Sequence, residues 1–515
     1  MKDRLTQLED LIKSQRELGV EHGKTDGDSS TDYVDGPEIQ LEESLLEFSS
    51  PALDNPETGP EIDLRETFSS SIGDSTQPND VDEGFEDGDF KGAAFLLQLP
   101  IVLPPALQAW DLLQEYLVDF NKALPLFDEE RLVSMYRNVF SQDPKLDCLD
   151  LKAVYATLAI AYRLRAMSPL ASDKDDHNAK SFIEQTFVAL PRMLVARPSL
   201  PSAQYITAMA VVMHGTRDSQ GTRSLLAAAL RMLLDLSSRS LSYDEHQAQR
   251  VFWIAFMMDT DLAIRNGQWS SNVFFPPNTY ELASSSLDAG ILPMGRQSFP
   301  YFRHRAQLAK IQARLLRLVG IGHGTAASSH ALPNQKMLTS LQSIAADLSA
   351  WRLREPLFQA YPKAYRHKLH RSDLVHLTVL EATFFSTYFA LQGALQGIGP
   401  FRGSVMLYLQ QYCELDMRGH VDDAVRLLSL FDYLPHGDFA CVWLVIDAIV
   451  IAVYVLLGAS LHHPYLLHLE DTSQAISGPL QLLRHLAQKH SQKRLLAAYR
   501  ELERLNQVIG GCPET

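Results

Sequence analysis

Apolar residues recur at helical spacing over most of the chain from about residue 92 onward. Repeats three and four residues apart are typical of helices that bury one face. No sustained alternation of apolar and polar residues separates these stretches, so a parallel sheet is not expected. The pattern therefore predicts an all-α fold, as a large irregular helical domain over residues 92–515. We expect helices over 106–120, 149–164, 179–195, 202–214, 302–319, 335–352, 374–395 and 404–428.

Residues 224–277 contain the most specific pattern in the sequence. An apolar helix is followed by a short polar loop, and a second helix is predicted to open near Asp244 and to carry the sequence QRVFW at 249–253. Gly267 suits a helix end, and the proline pair at 276–277 prevents an immediate restart. Spacings of three and four predict one apolar stripe along this helix, formed by Trp253, Phe256, Met257, Thr260 and Ile264.

Charged residues on the same helix allow two further interpretations. Asp261 and Arg265 are four residues apart with the acid first, which predicts an exposed helical ion pair worth about 0.3–0.5 kcal/mol. Arg250 and Asp259 could together form a functional site. A buried helix of a bundle explains them equally well, and we favour that interpretation.

The order of these features resembles the regulatory domain of fungal zinc-cluster transcription factors. That family has an apolar helix, an acidic residue near Arg-Arg-Val-Phe-Trp, an Asp, and a Gly-Arg-Pro-like turn. This chain departs from the pattern with AQR at 248–250, DLS at 235–237 and GQW at 267–269. The sequence NKALPLF at 121–127 also resembles the family's opening helix. The resemblance covers roughly residues 100–470 and implies a nuclear regulator of transcription, often of metabolic or secondary-metabolite genes.

The N-terminal residues 1–18 predict a short coiled coil. Apolar residues stand at Met1, Leu5, Leu8 and Ile12, which is the seam spacing of a coiled coil. Two heptads are too short to hold as an isolated helix in water. The resemblance implies that such a coil makes a homodimer or a heterodimer with a related factor. A frayed N-terminal helix is the alternative.

Residues 19–91 predict an acidic, disordered linker. Within it, residues 21–90 carry 21 Asp and Glu against two basic residues, so they account for more than the whole chain's net charge of −16. This composition buries too little apolar surface to offset chain entropy. Two patches place apolar residues among acids, Ile39 to Phe48 and Val81 to Phe90. They predict a coactivator contact through 21–90, with a solvated linker as the alternative.

The four cysteines, at positions 148, 413, 441 and 512, are far apart in the sequence. They give neither a disulfide framework nor a zinc spacing, and no secretory signal opens the chain. The family's DNA-binding element is six closely spaced cysteines holding two zinc ions. We therefore expect DNA contact to be indirect, or to depend on a zinc cluster missing ahead of Met1. We expect the protein to act in the nucleus.

No sequence motif assigns a catalytic residue, a cofactor or a metal site. The aspartates at 422–423 and at 259 and 261 could suggest an all-helical, terpene-cyclase-like enzyme, but neither group has the full aspartate-rich spacing. The histidines at 462–463 have no metal-ligating cluster nearby. The sequence GIGHG at 320–324 lacks the phosphate-loop context and is interpreted as a flexible connection. We therefore do not expect an enzyme.

Two remaining segments leave alternatives open. Residues 439–461 are the most apolar run and are interrupted by Asp447; they predict a buried core helix, with a membrane-associated adaptor as the alternative. The basic run from Lys363 to Arg371 could act as a nuclear-import signal, contact phosphates, or form a solvated face.

Overall fold

The computed structural model describes residues 103–140, 148–165, 172, 174–214, 219–238, 244–266, 289–294, 297–323, 334–353, 369–395, 414–430, 440–462, 465, 469–490 and 493–510. The chain divides into two units, Met1–Gln98 and Leu99–Thr515, and all described residues belong to the second. The predicted coiled coil at 1–18 and the acidic linker at 19–91 lie outside the described residues, as do residues 363–368.

The described part of the chain is almost entirely helical, which confirms the predicted all-α fold. The first elements are α1 (Ala106–Tyr116), a π-helical turn (Leu117–Asn121), α2 (Glu129–Val139), α3 (Cys148–Arg165), α4 (Asp175–Phe187), α5 (Leu190–Val195), α6 (Leu200–His214), α7 (Ser219–Ser238) and α8 (Glu245–Asn266). Then follow β1 (Leu292–Met294), β2 (Gln297–Phe299), α9 (Tyr301–His323), α10 (Gln335–Leu353), α11 (Arg371–Leu395), α12 (Glu414–Leu428), α13 (Ala440–His462), α14 (Leu469–His490) and α15 (Lys493–Gly510).

Most of the predicted helices are found, with three differences. The helix predicted over 179–195 is broken into α4 and α5, because Pro191 stands in the first turn of a new helix rather than inside the old one. The glycine-rich sequence at 320–323 is not a flexible connection but the last turn of α9. Helices α2, α14 and α15 were not predicted. Residues 404–413 of the last predicted helix lie outside the described residues.

The strands β1 and β2 form a small antiparallel hairpin ahead of α9. Leu292 pairs with Phe299, and Met294 pairs with Gln297. Gly290, just before the hairpin, has φ of 73°, and a Cβ built on it would lie 2.3 Å from the Cβ of Phe302. Only glycine fits this position, because a side chain would be strained and would also collide with α9.

The helix that carries the signature, α8, is buried on every face. All residues from 251 to 264 are buried. The prediction of a single apolar stripe was therefore wrong, because α6, α7, α9 and α11 all pack against this helix and leave no face for solvent. Its start was predicted correctly, since the Asp244 carboxylate accepts a hydrogen bond from the backbone N–H of Gln247 at 3.0 Å.

Two described helices, α11 and α13, are long and apolar enough to cross a membrane. The apolar segments of α11 and α13 are 78% and 83% buried inside the fold. Helix α13 lies in a core cluster with residues of α11, α12, α14 and α15, and Asp447 occupies its exposed side. This burial agrees with the interpretation of residues 439–461 as a core helix.

A buried asparagine shapes the turn that follows the π-helical turn. The Asn121 side chain accepts hydrogen bonds from the Tyr116 hydroxyl at 3.2 Å and from the backbone N–H of Phe127 at 3.1 Å. Its amide nitrogen donates to the carbonyl of Phe127 at 2.9 Å. One side chain therefore closes the loop between the first helical segment and α2.

Two glutamines connect this loop to the core helices. The side-chain amides of Gln204 on α6 and Gln247 on α8 donate to the same carbonyl, that of Leu126, at 3.0 and 2.7 Å. Both carbonyl lone pairs are thereby used inside the fold. The loop at 121–127 and the helix with the QRVFW sequence, which are more than a hundred residues apart, are thus bonded to each other.

Replacing Gln247 with alanine should destabilise the domain by about 0.5–1.5 kcal/mol, because one buried hydrogen bond is lost while Gln204 still donates to the Leu126 carbonyl. The midpoint of chemical denaturation of the full chain measures this loss. The matched change Gln342→Ala, at an exposed site on α10, should shift the midpoint little. Equal shifts for the two variants would contradict the role given to Gln247.

Candidate functional site

The centre of the helical domain contains a buried ion pair between α8 and α9. Nη2 of Arg305 donates to Oδ2 of Asp261 at 2.6 Å, and the two residues are only 5% and 3% exposed. Charges removed from water need compensation by a partner and by further hydrogen bonds. The pair must therefore be held in place by polar neighbours.

Those neighbours come from α9 and α11. The Gln312 side-chain amide donates to Oδ1 of Asp261 at 3.2 Å and to the Thr387 hydroxyl at 2.9 Å. The Thr383 hydroxyl lies 3.3 Å from Oδ2 of Asp261. Both oxygens of the aspartate are thus engaged, and the network ties three helices together in the core.

The predicted exposed pair between Asp261 and Arg265 is not formed. Asp261 faces the interior and pairs with Arg305, whereas Arg265 donates from Nη1 to the Trp443 carbonyl at 2.9 Å and from Nη2 to His214 at 2.6 Å. The prediction was wrong because it assumed a solvated helix face. In a helix buried all round, each charge takes its partner from a neighbouring helix.

His214, the last residue of α6, is held as a neutral imidazole. Arg265 is always protonated and can only donate, so Nε2 of His214 must accept the bond between them. Burial lowers the pKa of His214 well below its usual value, and the guanidinium groups of Arg265 and Arg305 lower it further.

A partly enclosed cavity of about 130 Å³ lies against this network. Its walls come from the π-helical turn and from α3, α6, α8, α9, α11 and α13. A cavity of about this size in a protein core can hold one aromatic ring. The apolar wall is formed by Phe120, Leu124, Ile160, Leu164, Val211, Val212, Ile254, Met257, Met258, Val375, Val379 and Leu444.

Polar groups also line this cavity. They are contributed by Arg163, His214, Asp261, Tyr301, Arg305 and His376. Burial raises the pKa of Tyr301 to about 12, so its hydroxyl stays protonated near neutral pH. Nε2 of His376 donates to the carbonyl of Asp119 at 2.7 Å, and burial lowers the pKa of this histidine. An apolar wall with a few convergent polar groups is the usual composition of a small-molecule site.

The other candidate residues from the sequence do not come together. Arg250 and Asp259 are nine residues apart on α8, which places them on opposite faces of the helix, about 13 Å apart along its axis. Asp423 is engaged by Arg352 at 2.5 Å, and Asp422 is exposed. Among the described residues, no group of three or more potential metal ligands is found. His463 lies outside the described residues.

A second, half-buried charge cluster joins α10, α11 and α12 around the buried Glu381. Glu381 lies 3.1 Å from Nε of Arg426 and 3.7 Å from Arg352, and burial raises the pKa of its carboxyl. Arg352 also stacks over the ring of Phe384 at 4.6 Å. Its members pair with one another between packed helices, so we interpret the cluster as structural.

The fold and the cavity define an all-helical domain that can hold a small molecule in its core. Residues 113–353 match the family model of the fungal specific transcription factor domain. The matched segment includes α8, α9 and the ion pair between them. This match agrees with the resemblance of residues 121–127 and 224–277 to the regulatory domain of that family.

Curated relatives carry related names. An "ABC-transporter-regulating transcription factor" from Aspergillus oryzae is 25% identical over 443 residues, which cover 79% of this chain and 47% of the relative. A protein of the same name from Aspergillus fumigatus is also 25% identical over 443 residues. The "Fusaridione A cluster transcription factor" of Fusarium heterosporum is 24% identical over 177 residues, 32% of this chain and 33% of the relative.

The chain spans about half the length of the two Aspergillus relatives. No solved structure matches it.

The cavity and the role of Arg305 were not found from the sequence. Arg305 follows the hairpin in the sequence RHRAQLAK, which looks like an ordinary charged helix start. Its partner is 44 residues away on α8. The available signal was Asp261, an acid inside an otherwise apolar stretch, which required a buried cation somewhere else in the chain.

Replacing Asp261 with alanine should cost about 3–5 kcal/mol of stability, because it leaves the Arg305 guanidinium buried and unpaired. The shift of the denaturation midpoint of the full chain measures this cost. The control Asp235→Ala removes an i,i+4 pair with Arg231, whose side chain is 79% exposed, and should change stability by less than about 1 kcal/mol. A loss at Asp261 no larger than at Asp235 would refute the burial argument.

The pH dependence of stability should reflect His214. Its folded-state pKa lies below the usual 6.5, so below that pH the unfolded chain binds a proton that the folded chain does not. The free energy of unfolding therefore falls by up to about 1.4 kcal/mol for each pH unit below the usual pKa of histidine. Above pH 7, His214 adds no pH dependence. The denaturation midpoint should therefore fall less between pH 7 and pH 5 in His214→Gln than in the unchanged protein. An unchanged pH dependence in the variant would be the contrary result.

Proposed function

We propose that this chain is the regulatory part of a nuclear transcription regulator and not an enzyme. The observation that carries the proposal is the match of residues 113–353 to the fungal specific transcription factor domain. The names of the three relatives support it, since each is called a transcription factor. By the same names, we propose target genes for transport or for secondary metabolism.

The helical domain acts in this proposal by binding a small effector in the core cavity. Six helices and the π-helical turn meet there, and α8, α9 and α11 are joined beside it by the Asp261 network. A ligand that contacts several helices at once favours the arrangement of those helices to which it binds best. The cavity thus links occupancy by a metabolite to the packing of the regulatory domain.

The remaining contacts follow the sequence predictions. Residues 1–18 form a dimer through a coiled coil, with a second copy or a related factor. Residues 21–90 contact a coactivator through apolar groups carried among acids. DNA is reached through a partner protein or through a zinc cluster ahead of Met1.

Fusing the full chain to an unrelated DNA-binding domain should raise expression of a reporter above that given by the DNA-binding domain alone. Replacing both Phe85 and Phe90 with alanine should reduce that activation several-fold, because the acidic segment loses its apolar contacts. The matched change of Ser69 and Ser70 to alanine should leave it unchanged. A fusion that leaves reporter expression unchanged or lowers it would contradict the proposed activation, and equal activity of the two double variants would contradict the role of 21–90.

A further inference from the structure

Arg305 has hydrogen-bonding capacity that the fold does not use. Nη2 of Arg305 donates to Asp261, and the Tyr301 hydroxyl also interacts with the guanidinium, but Nη1 has no hydrogen-bond partner among the residues that the structure describes. The residue is 5% exposed and lines the cavity. A buried guanidinium nitrogen without an acceptor is costly, so an acceptor that enters the cavity would be strongly favoured there.

Charged side chains also line the cavity. Its charged members are Arg163, Arg305 and Asp261, two cations and one anion. His214 adds no charge near neutral pH, because burial and the nearby guanidiniums keep it neutral. Behind the lining, Arg265 donates to His214, and Asp119 and Asp373 lie near His376. The guanidinium of Arg305 is therefore the lining cation to which we assign the ligand's acceptor.

The rest of the lining specifies the other features of the ligand. Tyr301 retains its proton and can donate a second hydrogen bond beside Arg305. The apolar wall and the volume of about 130 Å³ favour a body of about one aromatic ring. A neutral apolar molecule would pack against the apolar wall of the cavity but would leave Nη1 of Arg305 without an acceptor.

We propose that the cavity binds a compact organic monocarboxylate, with its apolar body against the α6, α8 and α11 wall and its carboxylate on Nη1 of Arg305. This inference rests on the proposed effector-binding function and names its ligand class. Charge-assisted hydrogen bonds are stronger than neutral ones, so the carboxylate supplies selectivity and the apolar body supplies the burial.

Calorimetric titration of the full chain with three probes tests the proposal. Phenylacetate carries both features, 2-phenylethanol has the ring without the charge, and acetate has the charge without the ring. We expect phenylacetate to bind in the micromolar to millimolar range of a fragment-sized ligand. It should bind about tenfold or more tightly than 2-phenylethanol, and acetate should bind weakest.

Two variants with matched controls assign the binding to this cavity. Arg305→Lys keeps the charge next to Asp261 but removes the planar pair of donors. It should weaken the binding of phenylacetate about tenfold and change the binding of 2-phenylethanol little. Arg314→Lys, on the exposed side of the same helix, should change the affinity for neither probe. Val379→Phe fills the cavity and should abolish binding of both aromatic probes, whereas Val425→Phe, at an exposed site on α12, should not.

The outcomes separate this inference from the proposed function. Equal affinity for phenylacetate and 2-phenylethanol, with both lost in Val379→Phe, would overturn the carboxylate assignment but leave an apolar effector site in place. Carboxylate binding that persists in both Arg305→Lys and Val379→Phe would also overturn it. Absence of binding by all three probes would overturn both the ligand class and the cavity as an effector site, while the reporter assay still tests transcriptional regulation on its own.

Discussion

The requirement to neutralise a charge inside a fully buried helix organises the core of this protein. Helix α8 has no solvated face, yet it carries Asp261 in its interior. That carboxylate is held by Arg305, Gln312 and Thr383, which come from two other helices. Separating the two charges would leave each of them buried without a partner. The network therefore requires the helices to keep their relative positions. The same requirement places an arginine at the edge of an apolar cavity.

A second polar network fixes the opposite end of α8. Gln247 and Gln204 hold the Leu126 carbonyl, and Asn121 closes the loop around it. The two segments that identify the family in the sequence are therefore in direct contact in the fold. The loop at 121–127 and the start of α8 thus form one structural unit.

The sequence predicts where the helices lie in the chain better than it predicts which helices and side chains surround them. Apolar periodicity is a local property, so the spans of α8, α10 and α11 were predicted to within a few residues. The partners of Asp261 and Arg265 depend on which helices pack together, and local spacing favoured a pair between them that does not exist. Arg305 was missed for the same reason, since its role depends on a contact 44 residues away. The break between α4 and α5 was missed because the apolar pattern continues across it, although Pro191 marked the start of a new helix.

In the proposed function, a small molecule occupies the cavity beside Arg305. Such a ligand would contact elements that are distant in the chain, from the π-helical turn to α13, and would add an acceptor where the core lacks one. An experimental structure of the full chain crystallised with phenylacetate tests this claim most directly. We expect the ring to lie against Met257 and Val379 and a carboxylate oxygen to lie within hydrogen-bonding distance of Nη1 of Arg305. An empty cavity at saturating phenylacetate, or a ligand bound with its carboxylate directed away from Arg305, would contradict it.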